Sequence, residues 1–365
     1  MAQTGTVIPE GLNLRATPGG TIIKVLAQGT IVEILDDQGD FLKVNATGDI
    51  GFVKASLIQR DPPGGGASSG GTFHFVGNKA VAPDGTVFGQ KFELGIFNNG
   101  TTSIGAFVKA NPAAFPNLSP SRLRVMSAVS VNEGKLEAIN TFDNAFLTFG
   151  CFQWTVGAAN GAGELPAMVN QLKNKDQAAF TQLLGQFGLD VLSVSSPPGQ
   201  TPTGFFSLNG IPVKAAADKQ NKLRTLEMAF RFFRAGQDAR MRQVEVEYAA
   251  SRIDLFYREP NHKIRNLFIA DFVSSEFGVA LLLDEHVNRP GHVPGTLDGA
   301  VNQFINATGK SDPTTWTNQD EATLLNIYIQ RRNNTNMTSS NDRANRIREA
   351  VNNGLASALR GSFQP

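Results

Sequence analysis

Residues 60–73 read RDPPGGGASSGGTF, and this run constrains the fold more than any other stretch. A proline pair followed by glycines and serines offers almost nothing to bury, so its composition is that of a flexible linker rather than of a core. It divides the 365 residues unevenly. The expected organisation is a small domain over residues 1–59, a linker over 60–73 and a large domain over 74–365. Apolar residues make up 41% of the chain, enough to give both parts a core. The 33 basic and 32 acidic residues nearly cancel, which argues against a nucleic-acid partner. A single cysteine, Cys151, excludes an internal disulfide and any multi-cysteine metal site. Neither a metal nor another cofactor is expected.

Before the linker, residues 12–15, 22–26, 31–35, 41–44 and 50–53 are short β-rich runs separated by Pro-Gly-Gly, Gln-Gly and Gly-Asp turn signals. Strands this short and regularly spaced predict a small all-β barrel. The order LNLRATPGG, KVLAQGTIVEIL and GDFLKVNATGDIGFVKASLI resembles the bacterial SH3 family over about residues 5–58. The resemblance implies an SH3-like barrel that attaches to the cross-bridges or stem peptides of bacterial peptidoglycan. Phe41 and Phe52 stand where such domains usually carry tryptophan, and the resemblance makes them ligand-groove residues.

After the linker, residues 74–118 are rich in Gly and Phe with an Asn-Asn-Gly turn, and read as hairpin or irregular structure. Ser119 followed by Pro120 is a helix start, and the three-to-four spacing of Leu123, Met126 and Val129 carries that helix to an end near Glu133 and Gly134. Phe180, Leu183, Leu184 and Phe187 share a helix face, and Asn209-Gly210 marks a type I′ hairpin. Periodicity places further helices at about 219–234, 237–257, 263–288, 297–307, 319–331 and 340–360. The fold class is therefore multi-domain: a small all-β barrel followed by a mainly α domain with a minor β part. Mixed charges along 227–258, Glu245 among them, read as a solvated, salt-bridged face.

The segment 131–155, VNEGKLEAINTFDNAFLTFGCFQWT, carries the chemistry. Glu133 at a helix end among apolar residues is placed where desolvation raises a carboxyl pKa, as a general acid near neutrality requires. Asp143, ten positions on, lies among Asn140, Thr141 and Asn144, neighbours that keep it ionised. Two carboxylates in contrasting surroundings make an acid/base pair. The run Asn132-Glu133-Gly134, then Asp143, then Thr148-Phe149-Gly150 resembles the lysozyme superfamily, most closely its phage-type glycoside hydrolases. Gly150-Cys151-Phe152-Gln153-Trp154 is more similar to a segment of goose-type lysozymes and lytic transglycosylases.

These resemblances imply a lysozyme-like α+β domain that cleaves the β-1,4 glycosidic bonds of peptidoglycan, with Glu133 as acid and Asp143 placing the water beside Thr148. Gln153 is then a substrate contact, Trp154 either stacks on a sugar or joins the core, and Asn288 with Asp284 near a late helix end lines the cleft. Inversion is expected if the two carboxyls stand roughly 6.5–9.5 Å apart; an anhydro-forming transglycosylase is the other outcome. Glu137 is a rival carboxylate, read as an exposed or supporting group, and Glu164 as a helix-terminal charge. The alternatives are an inactive wall-tethering protein and a glycosidase of chitin or chitosan. The start MAQTGTVIPEGL carries no secretory signal pattern, and the longest apolar run near a helix, residues 279–283, is too short to span a membrane. A monomer acting outside the cell or in its envelope, with peptidoglycan as partner, is the expectation.

Overall fold

Alternate residues of the N-terminal strands turn inward, as a half-buried sheet demands. In the computed structural model, which describes residues 3–46, 49–60 and 72–365, the chain divides into two units, Met1–Thr72 and Phe73–Pro365. The first contains β1 (Gln3–Val7), β2 (Gly11–Arg15), β3 (Ile22–Ala27), β4 (Ile31–Asp37), β5 (Phe41–Ala46), β6 (Asp49–Lys54) and β7 (Ile58–Arg60). They form one antiparallel sheet in the order β3-β2-β6-β5-β4-β1-β7. Leu12, Leu14, Val32, Ile34, Leu42, Val44 and Val53 make its separate core, each buried at a period of two. All five expected strands are present, and β1 and β7 are added at the ends. Most of the linker, residues 61–71, lies outside the described residues. Its last residue, Phe73, does not behave as linker: its ring packs on Phe88 and Phe230 at 6.2 and 5.5 Å in the second unit.

The second unit opens with β8 (His74–Val76), β9 (Lys79–Val81), β10 (Val87–Phe92) and β11 (Gly95–Asn98), then α1 (Ile104–Ala110) and α2 (Pro120–Val129). Next come β12 (Ile139–Asn140), β13 (Thr148–Phe149) and β14 (Trp154–Thr155), which extend the same antiparallel sheet in the order β14-β13-β12-β11-β10-β9-β8. Helices α3 (Leu165–Lys175) and α4 (Gln177–Leu183) precede a three-stranded sheet of β15 (Leu189–Ser195), β16 (Thr203–Leu208) and β17 (Ile211–Val213). Asn209 and Gly210, both at positive φ, join the last two as the expected type I′ turn.

The rest is helical: α5 (Ala216–Lys222), α6 (Leu226–Ala235), α7 (Ala239–Ser251), α8 (Ile269–Phe272), α9 (Glu276–Asn288), α10 (Val293–Thr308), α11 (Asn318–Asn333) and α12 (Ser340–Asn352). Helix α9 is buried on every side from Glu276 to His286, the mark of a central helix, and α2, α10 and α12 pack around it. Several expected helix bounds are corrected; the 237–257 helix ends at Ser251 and the 340–360 helix at Asn352. The 219–234 helix is broken at Thr225, whose hydroxyl accepts the Met228 N–H at 3.1 Å and starts α6 afresh. The 263–288 helix begins only at Ser275, the cap of α9, because Ile264 and Leu267 close a small hairpin upstream. Helix α2 stops at Val129, four residues short of Glu133. No helix among the described residues is long and apolar enough to cross a membrane.

Candidate active site

Glu133 is delivered by the abrupt end of α2. The Asn132 N–H returns to Val129 O at 2.9 Å, and the chain turns away from the helix axis instead of continuing it. This leaves the Glu133 side chain only 8% exposed and against Arg343 of α12, whose Nη2 donates to Glu133 Oε1. The same guanidinium donates to Asp284 Oδ1 from Nε (3.0 Å) and from Nη2 (2.6 Å). Asp284 is fully buried on α9 and is held from its other side by Arg332 at 2.9 Å. A row of alternating charges, Glu133, Arg343, Asp284 and Arg332, thus runs inward from the end of α2. Asn132 is fixed beside it, donating to Asp284 at 3.1 Å and accepting from Arg346 at 2.7 Å. Burial raises the Glu133 carboxyl from its ordinary 4.5 to about 7, against the downward pull of Arg343.

Glu133 opens into a cleft of about 560 Å³, within the usual size range of small-molecule sites. One wall is apolar: Phe92 and Phe97 of the β10–β11 hairpin with Phe142 after β12. Their rings meet edge to face, Phe92 with Phe142 at 4.7 Å and 72°, and Phe92 with Phe97 at 5.9 Å and 89°. Three rings at such angles form a corner, not a flat platform. Facing them are the side-chain amides of Asn98, Asn99, Asn132, Asn140 and Gln153. Gln153 has φ of +53° and donates to Gly150 O at 2.8 Å, which turns it toward Gly134. A Cβ on Gly134 would lie 2.6 Å from Gln153 Nε2, so a side chain after the acid would have to displace the Gln153 amide. Among the described cleft-lining residues Glu133 is the one carboxylate.

Of the residues singled out from sequence, the structure brings Glu133 and Gln153 into one cleft and leaves the others elsewhere. Asp143 is outside the lining: Oδ2 accepts from Asn140 at 2.8 Å and Oδ1 from the Ala145 N–H at 2.9 Å, so the side chain closes the β12–β13 turn. Thr148 is buried at 3% exposure in β13 and cannot face a sugar. Trp154, also buried, packs edge to face on Tyr248 at 5.6 Å and is a core residue. Asn288 is exposed at the end of α9, outside the cleft lining, and donates back to Asp284 O at 2.9 Å. Glu137 is not exposed but buried, accepting from the N–H groups of Thr101 (2.9 Å) and Thr102 (3.1 Å). Glu164 pairs with Arg252 rather than merely facing a helix dipole. In the first unit, Phe41 lies opposite Lys54, and Phe52 opposite Lys43 and Arg15. Both rings are half-buried.

Sequence reasoning missed Arg343, Phe92 and Phe97. The arginine is about 210 residues from its partner, so no local signal marks it. The two phenylalanines do have a signal, an aromatic pair astride a Glu-Leu-Gly turn in KFELGIF. Among the described residues no group of three or more His, Cys, Asp or Glu is placed to hold a metal ion.

The two units define a multi-domain class, an all-β barrel-like module followed by a mainly helical domain. Residues 10–59, within the first unit, match the bacterial SH3 domain family. That match covers no part of the helical unit, and neither the curated proteins nor the solved structures contain a match to the chain.

Proposed function

We propose that the chain is a cell-wall glycosidase, in which the SH3 unit holds peptidoglycan and the helical unit cleaves its β-1,4 glycosidic bonds with Glu133 as the general acid. The observation that carries this reading is a buried carboxyl, its pKa raised by burial to about 7, in a cleft otherwise lined by amides, aromatic rings, Lys135, Ala138 and Ile139. At neutral pH a large share of Glu133 is protonated and able to give its proton to the departing glycosidic oxygen. Asn132, Asn140, Asn98 and Gln153 are held by hydrogen bonds within the protein, which leaves Asn99 and the Gln153 carbonyl to meet the acetamido group of an N-acetylated sugar, and the phenylalanine corner suits a methyl group better than a flat pyranose face.

With Asp143 committed to its turn, the charge that develops at the anomeric carbon is met by the substrate's own 2-acetamido oxygen. Glu133, now ionised, then takes a proton from the attacking hydroxyl group. If that group is water the product is a reducing sugar; if it is the 6-hydroxyl of the same residue the product is an anhydro sugar. The protein acts at the cell envelope, where its polymer is found.

The test is clearance of a purified wall suspension together with sedimentation on the same walls. The wild-type chain is expected to bind and clear; Glu133→Gln is expected to bind and leave turbidity unchanged. Binding without clearance by the wild type would reduce the chain to a tethering protein.

A further inference from the structure

Helix α7 carries a carboxyl that the reaction does not use. Glu245 is wholly shielded from solvent, although its charged neighbours in sequence read as a solvated face. Its Oε2 accepts the Cys151 N–H at 3.2 Å, and Oε1 has no hydrogen-bond partner among the described residues. No cation pairs with it among the described residues: Arg242, one turn earlier on α7, gives Nε to Gly236 O at 2.6 Å and lies 3.7 Å from Glu137. The other titratable groups that act on it are Glu137, before β12, and the Cys151 thiol. An ionised carboxylate in that place would be buried with no cation in contact, and burial raises its pKa well above the ordinary value against the weaker pull of the Cys151 N–H and Arg242.

The group that Glu245 touches is the turn whose last residue, Gln153, lines the cleft. Gly150 has φ of +80° and Gln153 of +53°, and a Cβ at Gly150 would stand 2.5 Å from Glu245 Oε2. A glutamine in the left-handed region costs on the order of 1 kcal/mol and persists only when its surroundings hold it. On the far face of the same turn Gln153 meets Gly134, next to the acid. The turn is therefore clamped between Glu245 behind and Glu133-Gly134 in front.

We propose that Glu245, as an uncharged carboxylic acid, is the positioning group of the Gly150–Gln153 turn and thereby sets the place of Gln153 in the cleft. This rests on the glycosidase reading for its consequence in catalysis, and on the fold alone for its consequence in the turn. Glutamine is the isostere of the neutral acid and keeps the acceptor for Cys151; methionine keeps the bulk and loses the acceptor.

The experiment compares full-length wild type, Glu245→Gln and Glu245→Met for kcat, KM and pH profile on purified walls, for exchange of the Cys151 amide proton, and for unfolding at acid and neutral pH. Glu245→Gln is expected to keep kcat within about twofold and the same alkaline limb. Glu245→Met is expected to lose roughly tenfold in kcat with KM little changed, and to exchange the Cys151 amide at least tenfold faster. Because the folded protein favours the protonated form, stability is complete below the ordinary Glu value and declines as pH rises, so the wild type should weaken toward neutrality more than Glu245→Gln. Equal kcat and equal exchange in Glu245→Met would overturn the proposal, as would damage to Glu245→Gln matching that to Glu245→Met. A wild type that clears no walls sinks the glycosidase reading instead, and amide exchange and unfolding still decide the role of Glu245.

Discussion

Replacing Arg343 by methionine isolates the strongest electrostatic influence on the acid. Arg343 and Glu133 are 11% and 8% exposed, so solvent screens their attraction little. An opposite charge in contact with a carboxyl at such a site lowers its pKa by roughly one to three units. Arg343→Met should therefore move the Glu133 midpoint upward from about 7 by that amount, because the cation opposing the effect of burial is gone. Asp284 would keep Arg332 at 2.9 Å but lose its second cation, and breaking a buried pair costs about 3–5 kcal/mol. Asp284→Asn should move Glu133 the other way, since the like charge of Asp284 also raises it. Arg343→Lys keeps the charge but cannot span Asp284 Oδ1, Glu133 Oε1 and the Asn132 carbonyl together, and should fall between. The assay is carbon-13 titration of the Glu133 carboxyl in the full chain, with urea unfolding to confirm that each variant is folded. A folded Arg343→Met protein whose Glu133 midpoint stays near 7 or falls would refute the reasoning. If the wild type cleaves walls, the alkaline limb of its rate profile should follow the titration.

Two further outcomes are expected. His286 is buried on α9 against Phe256, and burial first, then Arg252, lowers its pKa from 6.5 to about 3. The fold favours its neutral form, so stability is complete above 6.5 and is lost as pH falls toward 3; urea midpoints measured down this range should drop less in His286→Phe than in the wild type. Phe92 is 44% exposed at the cleft, and Phe92→Ala should weaken binding of N-acetylated oligosaccharides roughly three- to tenfold while moving the unfolding midpoint little, as titration calorimetry and thermal melts can check.

The local half of the fold was legible. The SH3 unit follows from period-two runs and turn residues that lie within about 50 positions, and Ser119-Pro120 starts α2 where the capping chemistry says it should. What periodicity concealed was the interruption of helices: Thr225 and Ser275 are ordinary caps in the middle of spacing that otherwise reads as continuous. The end of α2 had no such marker, because Glu133 leaves the helix for a partner supplied by α12. Four phenylalanines, Phe142, Phe146, Phe149 and Phe152, follow Glu133 closely in the chain. Of the four rings near Glu133 in sequence, only Phe142 lines the cleft, while Phe149 and Phe152 are in the core and Phe146 lies under Arg224. Phe92 and Phe97 take their place from a different hairpin. The mixed-charge pattern of α7 likewise hid Glu245, since alternating signs describe a helix face only when no other element covers it.

The most direct measurement is the mass of soluble fragments released from purified peptidoglycan by the wild-type chain and by folded Glu133→Gln. Wild type should release disaccharide-peptide fragments ending in either a reducing sugar or an anhydro sugar, which differ by one water, and Glu133→Gln should release neither. Glycan cleavage that persists in folded Glu133→Gln, or its absence from the wild type, would contradict the assignment of Glu133 as the acid.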